Sequence, residues 1–360
     1  MSSPAIPPNQ TLSIDSQTVW RDAGQAIAVV ILNYNGKKHL EKFLGTVINY
    51  SKNAKVIVAD NGSTDGSLDF IAKNYPSVQL IDNGVNLGFC GGYNVALKKV
   101  TADYYILLNN DVEVTEDWIL PMQKLLDEHA DIAAVQPKIL SYRNKKLFEY
   151  AGAGGGFVDA LGYPFCRGRL FDHLEEDHGQ YNDTVPVFWA TGACLMVRSG
   201  LFHELGGFDE DFFAHMEEID LCWKLNRNGY KAYYAGGSVV YHVGGGTLSV
   251  SNPNKTYFNF RNGLDMLIKH QRGGQLLWKL PLRVVLDWIA GLKFLLKSPA
   301  DTWAVLRAHF NILFHLGRIM RKRGELKRQL KGFPVSEEFD GILVYSYFIR
   351  GRKTYKDLLS

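Results

Sequence analysis

Cysteine is scarce in this sequence, and the few that occur lack the spacing of a metal or redox motif. The 360 residues include four cysteines, Cys90, Cys166, Cys194 and Cys222, and no two of them form a C-x-x-C pair. A structural zinc site is therefore not expected, and buried free thiols in a reducing compartment fit this spacing best.

Long uncharged apolar runs are also missing. A membrane-spanning helix needs roughly 18 or more consecutive apolar residues, and no stretch of the chain provides them. The first 22 residues hold prolines and polar residues but no basic region followed by an apolar core. We therefore expect no signal peptide and a flexible arm over residues 1–24.

A dinucleotide-binding fingerprint is absent as well. The glycines Gly88, Gly91 and Gly92 follow the third apolar run of the chain, not the first, and their spacing differs from G-x-G-x-x-G. The absence of this fingerprint argues against a nicotinamide-dependent oxidoreductase, which is one class of function that a glycine-rich loop can suggest.

Four apolar runs do occur, and each is followed by a polar loop. They cover residues 26–32, 56–59, 78–81 and 104–108, and the polar residues after them include Asn33, Asp60, Asn86 and Asn109. Segments with helical spacing of apolar residues lie between the runs, which predicts an α/β fold with a mostly parallel sheet flanked by helices. Ligands of such sheets lie beyond the carboxyl ends of the strands, so Asp111 is placed to hold a metal or a metal-bound phosphate.

The same polar residues have a simpler interpretation, because Asn and Asp also cap turns and helices. Asp60 fits a turn cap, and Asp65 is expected to cap a helix beginning near Ser67. Glu113 is interpreted as the N-terminal charge of a helix that Thr115 caps.

Taken together, the motifs resemble those of family-2 glycosyltransferases, and most closely the bacterial rhamnosyltransferase-like subgroup. The resemblance covers roughly residues 26–265 and rests on residues 30–35, 58–65, 86–94, 107–112, 189–198, 206–213, 217–223 and 239–242. It implies a GT-A fold with a catalytic domain at residues 25–260. Residues 25–113 would hold the nucleotide and residues 114–260 the acceptor. Composition and charge, not the resemblance, predict a basic amphipathic helical extension at residues 261–360.

The resemblance also implies the residues that contact a nucleotide-diphosphate sugar. They are Asn33, Asn35, Asp60, Asn61, Gly88, Phe89, Asn94, Asn109, Asn110, Asp111, Trp189, Thr191 and Gly192. Among them Asp60 would accept a hydrogen bond from the base, which a carboxylate does well because the bond is charge-assisted. Thr191 and Gly192 are expected to interrupt an apolar strand where the ligand approaches the backbone.

A divalent metal, Mn²⁺ or Mg²⁺, is part of what the resemblance implies. Asp111 matches the last position of the family's D-x-D motif, whose first two positions are Asn109 and Asn110 here. The family supplies a distant ligand from the position of His242, whose imidazole suits Mn²⁺ better than Mg²⁺. With so little negative charge nearby, metal affinity without nucleotide should be poor.

Transfer with inversion needs a base that deprotonates the acceptor hydroxyl. The family takes it from the aspartate of a Glu-Asp pair that opens a helix, and the pair reads Glu217-Glu218 in this chain. Glu218 is therefore the expected base, with Glu217 and Asp220 as alternatives. The acidic cluster also fits a helix N-terminus that its charges stabilise, and for Asp220 this is the favoured interpretation.

The charge of the chain is unevenly distributed. Residues 261–331 carry 15 Lys and Arg against 4 Asp and Glu, a balance of +11 within a net charge of +3. Basic amphipathic segments with Trp and Phe are typical of helices on an anionic membrane surface, and they also fit helices that pack on the domain with a solvated basic face. Nucleic acid is not expected as a partner, because no nucleic-acid motif accompanies the charge.

These features predict an inverting, metal-dependent glycosyltransferase at the cytoplasmic face of a bacterial membrane. It would move a sugar from a UDP- or dTDP-sugar, with dTDP-rhamnose among the candidates, to a glycan or lipid-linked glycan in cell-surface polysaccharide synthesis. The alternative is a catalytically inactive protein that binds nucleotide sugar or glycan, because Asn109, Asn110 and Glu218 depart from the family pattern. The sequence does not indicate an oligomeric state.

Overall fold

A computed structural model of the chain describes residues 26–244 and 252–360, so the predicted arm at residues 1–24 lies outside the described residues. The strands are β1 (Ile27–Asn33), β2 (Lys55–Asp60), β3 (Gln79–Asp82), β4 (Tyr104–Asn109), β5 (Val112–Val114), β6 (Ile132–Ser141), β7 (Gly156–Asp159), β8 (Pro164–Cys166), β9 (Arg169–Leu170), β10 (His173–Leu174), β11 (Thr184–Val187), β12 (Cys194–Arg198), β13 (Lys231–His242) and β14 (Glu338–Phe339). The α-helices are α1 (Lys37–Tyr50), α2 (Ser67–Asn74), α3 (Gly88–Leu97), α4 (Leu120–Glu128), α5 (Ser199–Glu204), α6 (Glu217–Arg227), α7 (Pro253–His270), α8 (Gly273–Leu295), α9 (Pro299–Gln329), α10 (Leu343–Phe348) and α11 (Tyr355–Leu359).

The main sheet begins with four parallel strands in the order β3-β2-β1-β4, which are joined by helices as the sequence predicts. It continues through β12, antiparallel to β4, and then β6, β13 and β11. The register places Asn33 beside Asp60 and Leu32 beside Asn109, so the polar loops after these strands meet at one edge. The α/β prediction is therefore confirmed.

Alternating side chains of β1 explain why the sheet is covered on both faces. Ala28 and Val30 pack into one apolar cluster with α3 and α6, whereas Ile27, Val29 and Ile31 pack into a second cluster with α1 and α4. A strand buried on both faces is typical of parallel sheets, because the crossover helices lie above and below. The four cysteines are buried and free, as expected.

Two local predictions are wrong. Glu113 lies in β5, which pairs with β13, and Thr115 donates a hydrogen bond to the Val239 carbonyl at 2.8 Å, while α4 begins only at Leu120. Thr191 and Gly192 lie in the connection between β11 and β12, not inside one strand. By contrast, α2 begins at Ser67 as predicted, and the Ser67 N–H donates to Asp65 at 3.1 Å.

Residues 338–359 pack back against the second sheet and the main core. β14 pairs with β7 in a second, five-stranded sheet, and Leu343 and Leu358 are buried in the main core. The backbone N–H of Leu343 donates to the buried carboxylate of Asp159 at 2.8 Å. The domain boundary predicted between residues 260 and 261 falls within α7.

Three basic residues of the C-terminal helices, Lys269, Arg318 and Lys322, face acids in residues 209–220. Lys269 of α7 lies 2.6 Å from Asp209 and 3.0 Å from Asp220, and Lys322 of α9 pairs with Asp209 and Asp211. The positive and negative segments of the sequence therefore meet in space. Within residues 26–244 and 252–360, no helix combines the length and the apolar character needed to cross a membrane.

Candidate active site

The loops after β1, β2 and β4 are joined by a buried polar network. The Asn33 amide donates to Asp60 at 3.0 Å, and the Asn110 amide donates to Asn33 at 2.9 Å. The Ser63 N–H donates to the second oxygen of Asp60 at 2.8 Å, so Asp60 caps a turn in the way the simpler interpretation predicts. Its contact with a nucleotide base remains a prediction.

Asn35 and Asn61 extend this network in two directions. Asn35 is exposed and has a positive φ of 50°, and its side-chain oxygen accepts from the Thr64 N–H at 2.8 Å. Asn61 is buried and donates to the Gly88 carbonyl at 2.9 Å. The β2 loop is therefore held directly against the glycine-rich loop that opens α3.

The glycine-rich loop is also held by the loop that precedes α6. The N–H groups of Phe89 and Cys90 donate to the carbonyl of Phe213 at 2.7 and 3.2 Å. Gly88 has a φ of 71°, and a Cβ on it would lie 2.5 Å from the Phe213 ring. Only glycine fits at this position without displacing the loop before α6.

Asn94 lies apart from this edge of the sheet. Its side chain donates to the Phe208 carbonyl at 2.9 Å and accepts from the Phe208 N–H at 3.0 Å. Both of its polar groups are thereby engaged in joining α3 to the segment before α6. The structure places Asn94 as a support of the site, and a direct contact with the donor remains a prediction.

Asp111 and His242 come together although they are far apart in sequence. The His242 Nε2 lies 3.1 Å from the Asp111 Oδ1, and the His242 Nδ1 lies 3.1 Å from Glu149. Burial alone would lower the pKa of His242, but the two carboxylates outweigh it and raise the pKa to about 10. Burial would raise the pKa of both carboxyls, yet the imidazolium holds them below their usual values.

These residues fit the partial coordination shell of a divalent cation. The second carboxylate oxygen of Asp111 is buried and has no hydrogen-bond partner, and the Asn109 amide lies 3.4 Å from the His242 Nε2. In the part of the chain that the structure describes, no group of three or more His, Cys, Asp and Glu side chains is arranged to hold a metal. Asp111 and His242 would supply at most two ligands, so the remainder would come from a bound molecule such as a diphosphate.

The connection between β11 and β12 runs from the end of β4, near Asp111, to the start of α6. The N–H of Asn109 donates to the Ala193 carbonyl at 3.0 Å, and the buried Thr191 N–H donates to Gln136 at 3.0 Å. A Cβ on Gly192 would lie 3.4 Å from the Phe89 ring and 3.7 Å from the Glu218 carboxyl carbon. Trp189 is buried, and its indole N–H donates a hydrogen bond to the Phe157 carbonyl at 2.9 Å.

Glu217 and Glu218 open α6 directly after a strained loop. Phe213, His215 and Met216 all have positive φ, between 64° and 74°. Such backbone costs roughly 1–3 kcal/mol per residue and persists only where the surroundings enforce it. The Asn262 amide does so here, because it lies 2.7 Å from the His215 carbonyl and 2.9 Å from the Ala214 carbonyl.

The two glutamates are distinct from Asp220. Burial, and for Glu217 also the charge of Glu218, raises the pKa of both glutamates, and each has one carboxylate oxygen without a hydrogen-bond partner. Glu217 is buried, whereas Glu218 keeps partial exposure to solvent. Burial would raise the pKa of Asp220 too, but Lys269, His270 and Lys224 hold it well below its usual value.

The structure thus brings together most of the expected site residues and sets Asn94, Trp189 and Asp220 back from the edge. Three residues that support the site were not among the expected ones: Glu149, Gln136 and Asn262. No local motif marks any of them, because each contacts a partner from a distant part of the chain. The Glu149 carboxylate beside an imidazole is a partner that fixes ring orientation in many metal sites.

Comparison with known proteins agrees with this arrangement. The pattern of the family described as Glycosyl transferase family 2 matches residues 28–205. The N-acetylglucosaminyl-diphospho-decaprenol L-rhamnosyltransferase of Mycobacterium tuberculosis is 28% identical over 235 residues, which are 60% of this chain and 75% of that protein. Rhamnosyltransferase WbbL of Escherichia coli is 26% identical over 215 residues, 58% of this chain and 80% of that protein.

The chain belongs to glycosyltransferase family 2 and has the GT-A fold of that family. Within the family it is similar to rhamnosyltransferases. One solved structure, the mannosyltransferase PcManGT from Pyrobaculum calidifontis in complex with GDP-Man and Mn²⁺, has a TM-score of 0.48 and 14% identity over 84% of this chain and 85% of that chain. Similarity at that level does not bear on function.

Proposed function

We propose that this protein is an inverting glycosyltransferase that moves a sugar from a nucleotide-diphosphate donor to a glycan or lipid-linked glycan. The observation that carries the proposal is the position of Glu218. Its carboxyl group lies beside Gly192, and the N–H of Asn109 donates to Ala193, the next residue along that connection. One short segment therefore joins the carboxylate to the edge that holds Asp111 and His242.

Glu218 has the properties of a general base. The residue is partly exposed, one of its carboxylate oxygens has no hydrogen-bond partner, and the raised pKa of its carboxyl makes it a stronger base than a solvated glutamate. As the acceptor oxygen attacks the anomeric carbon, the hydroxyl proton moves to Glu218 and the nucleoside diphosphate departs. A single displacement of this kind inverts the configuration at the anomeric carbon.

Asp111 and His242 would hold Mn²⁺ or Mg²⁺, which would neutralise charge on the departing diphosphate. The Asn33, Asn35, Asp60 and Asn61 network would hold the nucleoside, and the loop at Gly88 and Phe89 would lie against the donor. The relative in Mycobacterium tuberculosis is named for transfer of rhamnose to a diphospho-decaprenol acceptor, which supports a deoxysugar donor and a lipid-linked acceptor. A lipid-linked acceptor would place the enzyme at the cytoplasmic face of the membrane.

The first experiment measures thermal unfolding against UDP-, dTDP- and GDP-sugars, each with Mn²⁺, with Mg²⁺ and with chelator. A ligand that binds only the folded protein raises the midpoint. We expect a metal-dependent shift confined to one nucleotide class, and Asp111→Asn should remove its metal dependence. The sugar nucleotides are tested at about millimolar concentration, which is far above the Kd of a functional donor site. If none of them shifts the midpoint, the donor site is wrongly assigned.

The second experiment separates the enzyme from an inactive binding protein. Glu218→Gln should keep the donor-dependent thermal shift and reduce turnover by at least about a hundredfold, because a neutral amide cannot accept the proton. Glu217→Gln is the matched control and should retain more activity. The reverse ranking would make Glu217 the base, and binding without any turnover by the unmodified protein would favour the inactive alternative.

A further inference from the structure

Helix α8 buries charged side chains and exposes large apolar ones, which is the reverse of a typical surface helix in a soluble protein. Its four buried residues are Lys279, Arg283, Asp287 and Gly291, a polar stripe at i, i+4 spacing. Large apolar side chains, including Trp278, Val285, Trp288, Leu292 and Leu295, are exposed. A surface helix normally buries its apolar stripe and exposes its polar one. The exposed apolar face of α8 is therefore poorly suited to contact with water.

The charged residues of the buried stripe contact other groups of the protein. Arg283 donates to Asp287 at 2.9 Å and to the Leu161 carbonyl at 3.1 Å, and the Tyr163 hydroxyl donates to Asp287 at 2.7 Å. Lys279 donates to Gln271 at 3.2 Å. These buried contacts fix the rotation of α8, because turning the helix over would separate the charged groups from their partners.

Helix α9 presents a second apolar face beside the first. The two helices run antiparallel, since Gly291 lies near Val305 and the Trp288 ring is 6.2 Å from the His309 ring. Trp303, Phe310 and Phe314 are exposed on α9, and Phe314 keeps 83% of its surface. Of the 25 exposed large hydrophobic residues in the described part of the chain, 14 lie in residues 277–320.

The charges around this face indicate its partner. In residues 273–329, all of which the structure describes, seven Lys and Arg side chains are exposed against one exposed acid, Glu325. Apolar faces with tryptophan and flanking cations match the acyl and anionic headgroup layers of a bilayer. A second copy of the chain would bring the same cations together, which like-charge repulsion opposes.

We propose that the α8–α9 hairpin (residues 273–329) docks in the surface of an anionic lipid bilayer, with the Trp288, Leu292 and Phe314 face inserted and the cations at the headgroups. Membrane docking does not depend on the proposed function. Only its benefit, which is to hold the site next to a lipid-linked acceptor, rests on that function. The polar stripe of α8 keeps the catalytic part fixed on the hairpin.

The test is flotation of the full-length protein with vesicles of phosphatidylcholine alone or with about 30% phosphatidylglycerol, a composition chosen to supply the anionic surface. We expect binding to the mixed vesicles that weakens with added salt. The triple variant Trp288→Ser, Leu292→Ser, Phe314→Ser should bind at least about tenfold more weakly, because the inserted apolar area is lost. The matched control, Val85→Ser with Leu120→Ser, removes exposed apolar side chains outside the hairpin and should bind unchanged.

The donor-dependent thermal shift is measured on the same variants. Its retention in the triple variant shows that the fold and the donor site are intact, so loss of vesicle binding then belongs to the hairpin. Equal vesicle binding by the triple variant and the unmodified protein would overturn the proposal. A stable dimer that the triple variant dissociates, together with no vesicle binding, would overturn it in favour of a second copy.

Discussion

The side-chain amide of Asn262 lies 2.7 Å from the carbonyl oxygen of His215, two residues before the acidic start of α6. The same amide nitrogen is 2.9 Å from the Ala214 carbonyl and 3.2 Å from the Phe212 carbonyl. An amide has two protons and can serve two of these acceptors at once. A residue of α7 thus holds the strained backbone from which Glu217 and Glu218 project.

Asn262→Ala should therefore lower kcat more than it changes donor binding. Loss of the amide leaves carbonyls of a buried loop without donors, which should cost about 2 kcal/mol of folding stability, and a base displaced by about 1 Å can lose up to a hundredfold in rate. Steady-state kinetics and the donor-dependent thermal shift measure the two effects. Asn74→Ala, which removes an exposed amide that donates to the Phe70 carbonyl, is the control, and an equal loss in both variants would contradict the assignment.

Glu217→Gln should stabilise the protein at high pH. Burial and the charge of Glu218 raise the pKa of Glu217 above its usual 4.5, so the folded protein holds this proton at pH values where the unfolded chain has lost it. The associated stability is full below about pH 4.5 and is lost as the pH rises through the folded-state pKa. Glutamine avoids the loss.

The measurement is the unfolding midpoint at pH 5 and pH 8. The gain from Glu217→Gln should be larger at pH 8. Glu41→Gln, at an exposed position of α1, should show no such difference. A gain that is equal at both pH values would mean that removal of the buried charge is not the cause.

Glu149→Gln should weaken metal binding in the presence of nucleotide by about ten- to a hundredfold, because the carboxylate that orients the His242 ring is lost. The readout is titration of Mn²⁺ into the nucleotide-bound protein, followed by calorimetry. Glu113→Gln removes a nearby carboxylate that pairs with Lys145 and should leave Mn²⁺ affinity unchanged. Equal affinities for Glu149→Gln and the unmodified protein would show that Glu149 does not support the metal site.

Gly88→Ala and Gly84→Ala form a matched pair, because both glycines have a φ near 70–76° but only Gly88 is enclosed. Positive φ alone should cost Gly84→Ala about 1–2 kcal/mol. Gly88→Ala should cost about 1–3 kcal/mol more, because its Cβ would meet the Phe213 ring. Chemical denaturation measures both, and equal costs would mean that the two loops are not in tight contact.

Sequence reasoning succeeded where the controlling interactions are local. Apolar runs define β1, β2, β3 and β4, and the polar residues after them meet because parallel strands end at one edge. It failed at Glu113, because the pairing of β5 with β13 depends on residues far along the chain. No periodicity in residues 112–114 reveals that partner.

The candidate site shows the same division. The resemblance implies the roles of Asp111, His242 and Glu218, whereas the charges that set Asp220 apart from Glu218 appear only in the tertiary structure. Lys269 and His270 of α7 pair with Asp220 and keep its carboxylate ionised and engaged, so Asp220 is a weaker base than Glu218. Glu149 and Asn262 act through contacts between loops and helices, for which sequence spacing carries no signal.

The contact of Gly88 with Phe213 also limits how relatives can be recombined. A chimaera that takes residues 26–114 from one family member and the remainder from another would combine two loops shaped for different neighbours. These are the glycine-rich loop at Gly88 and the loop at Phe213 that precedes α6. Because no space separates the two in this protein, exchange of donor specificity should require transplanting both loops as one cassette.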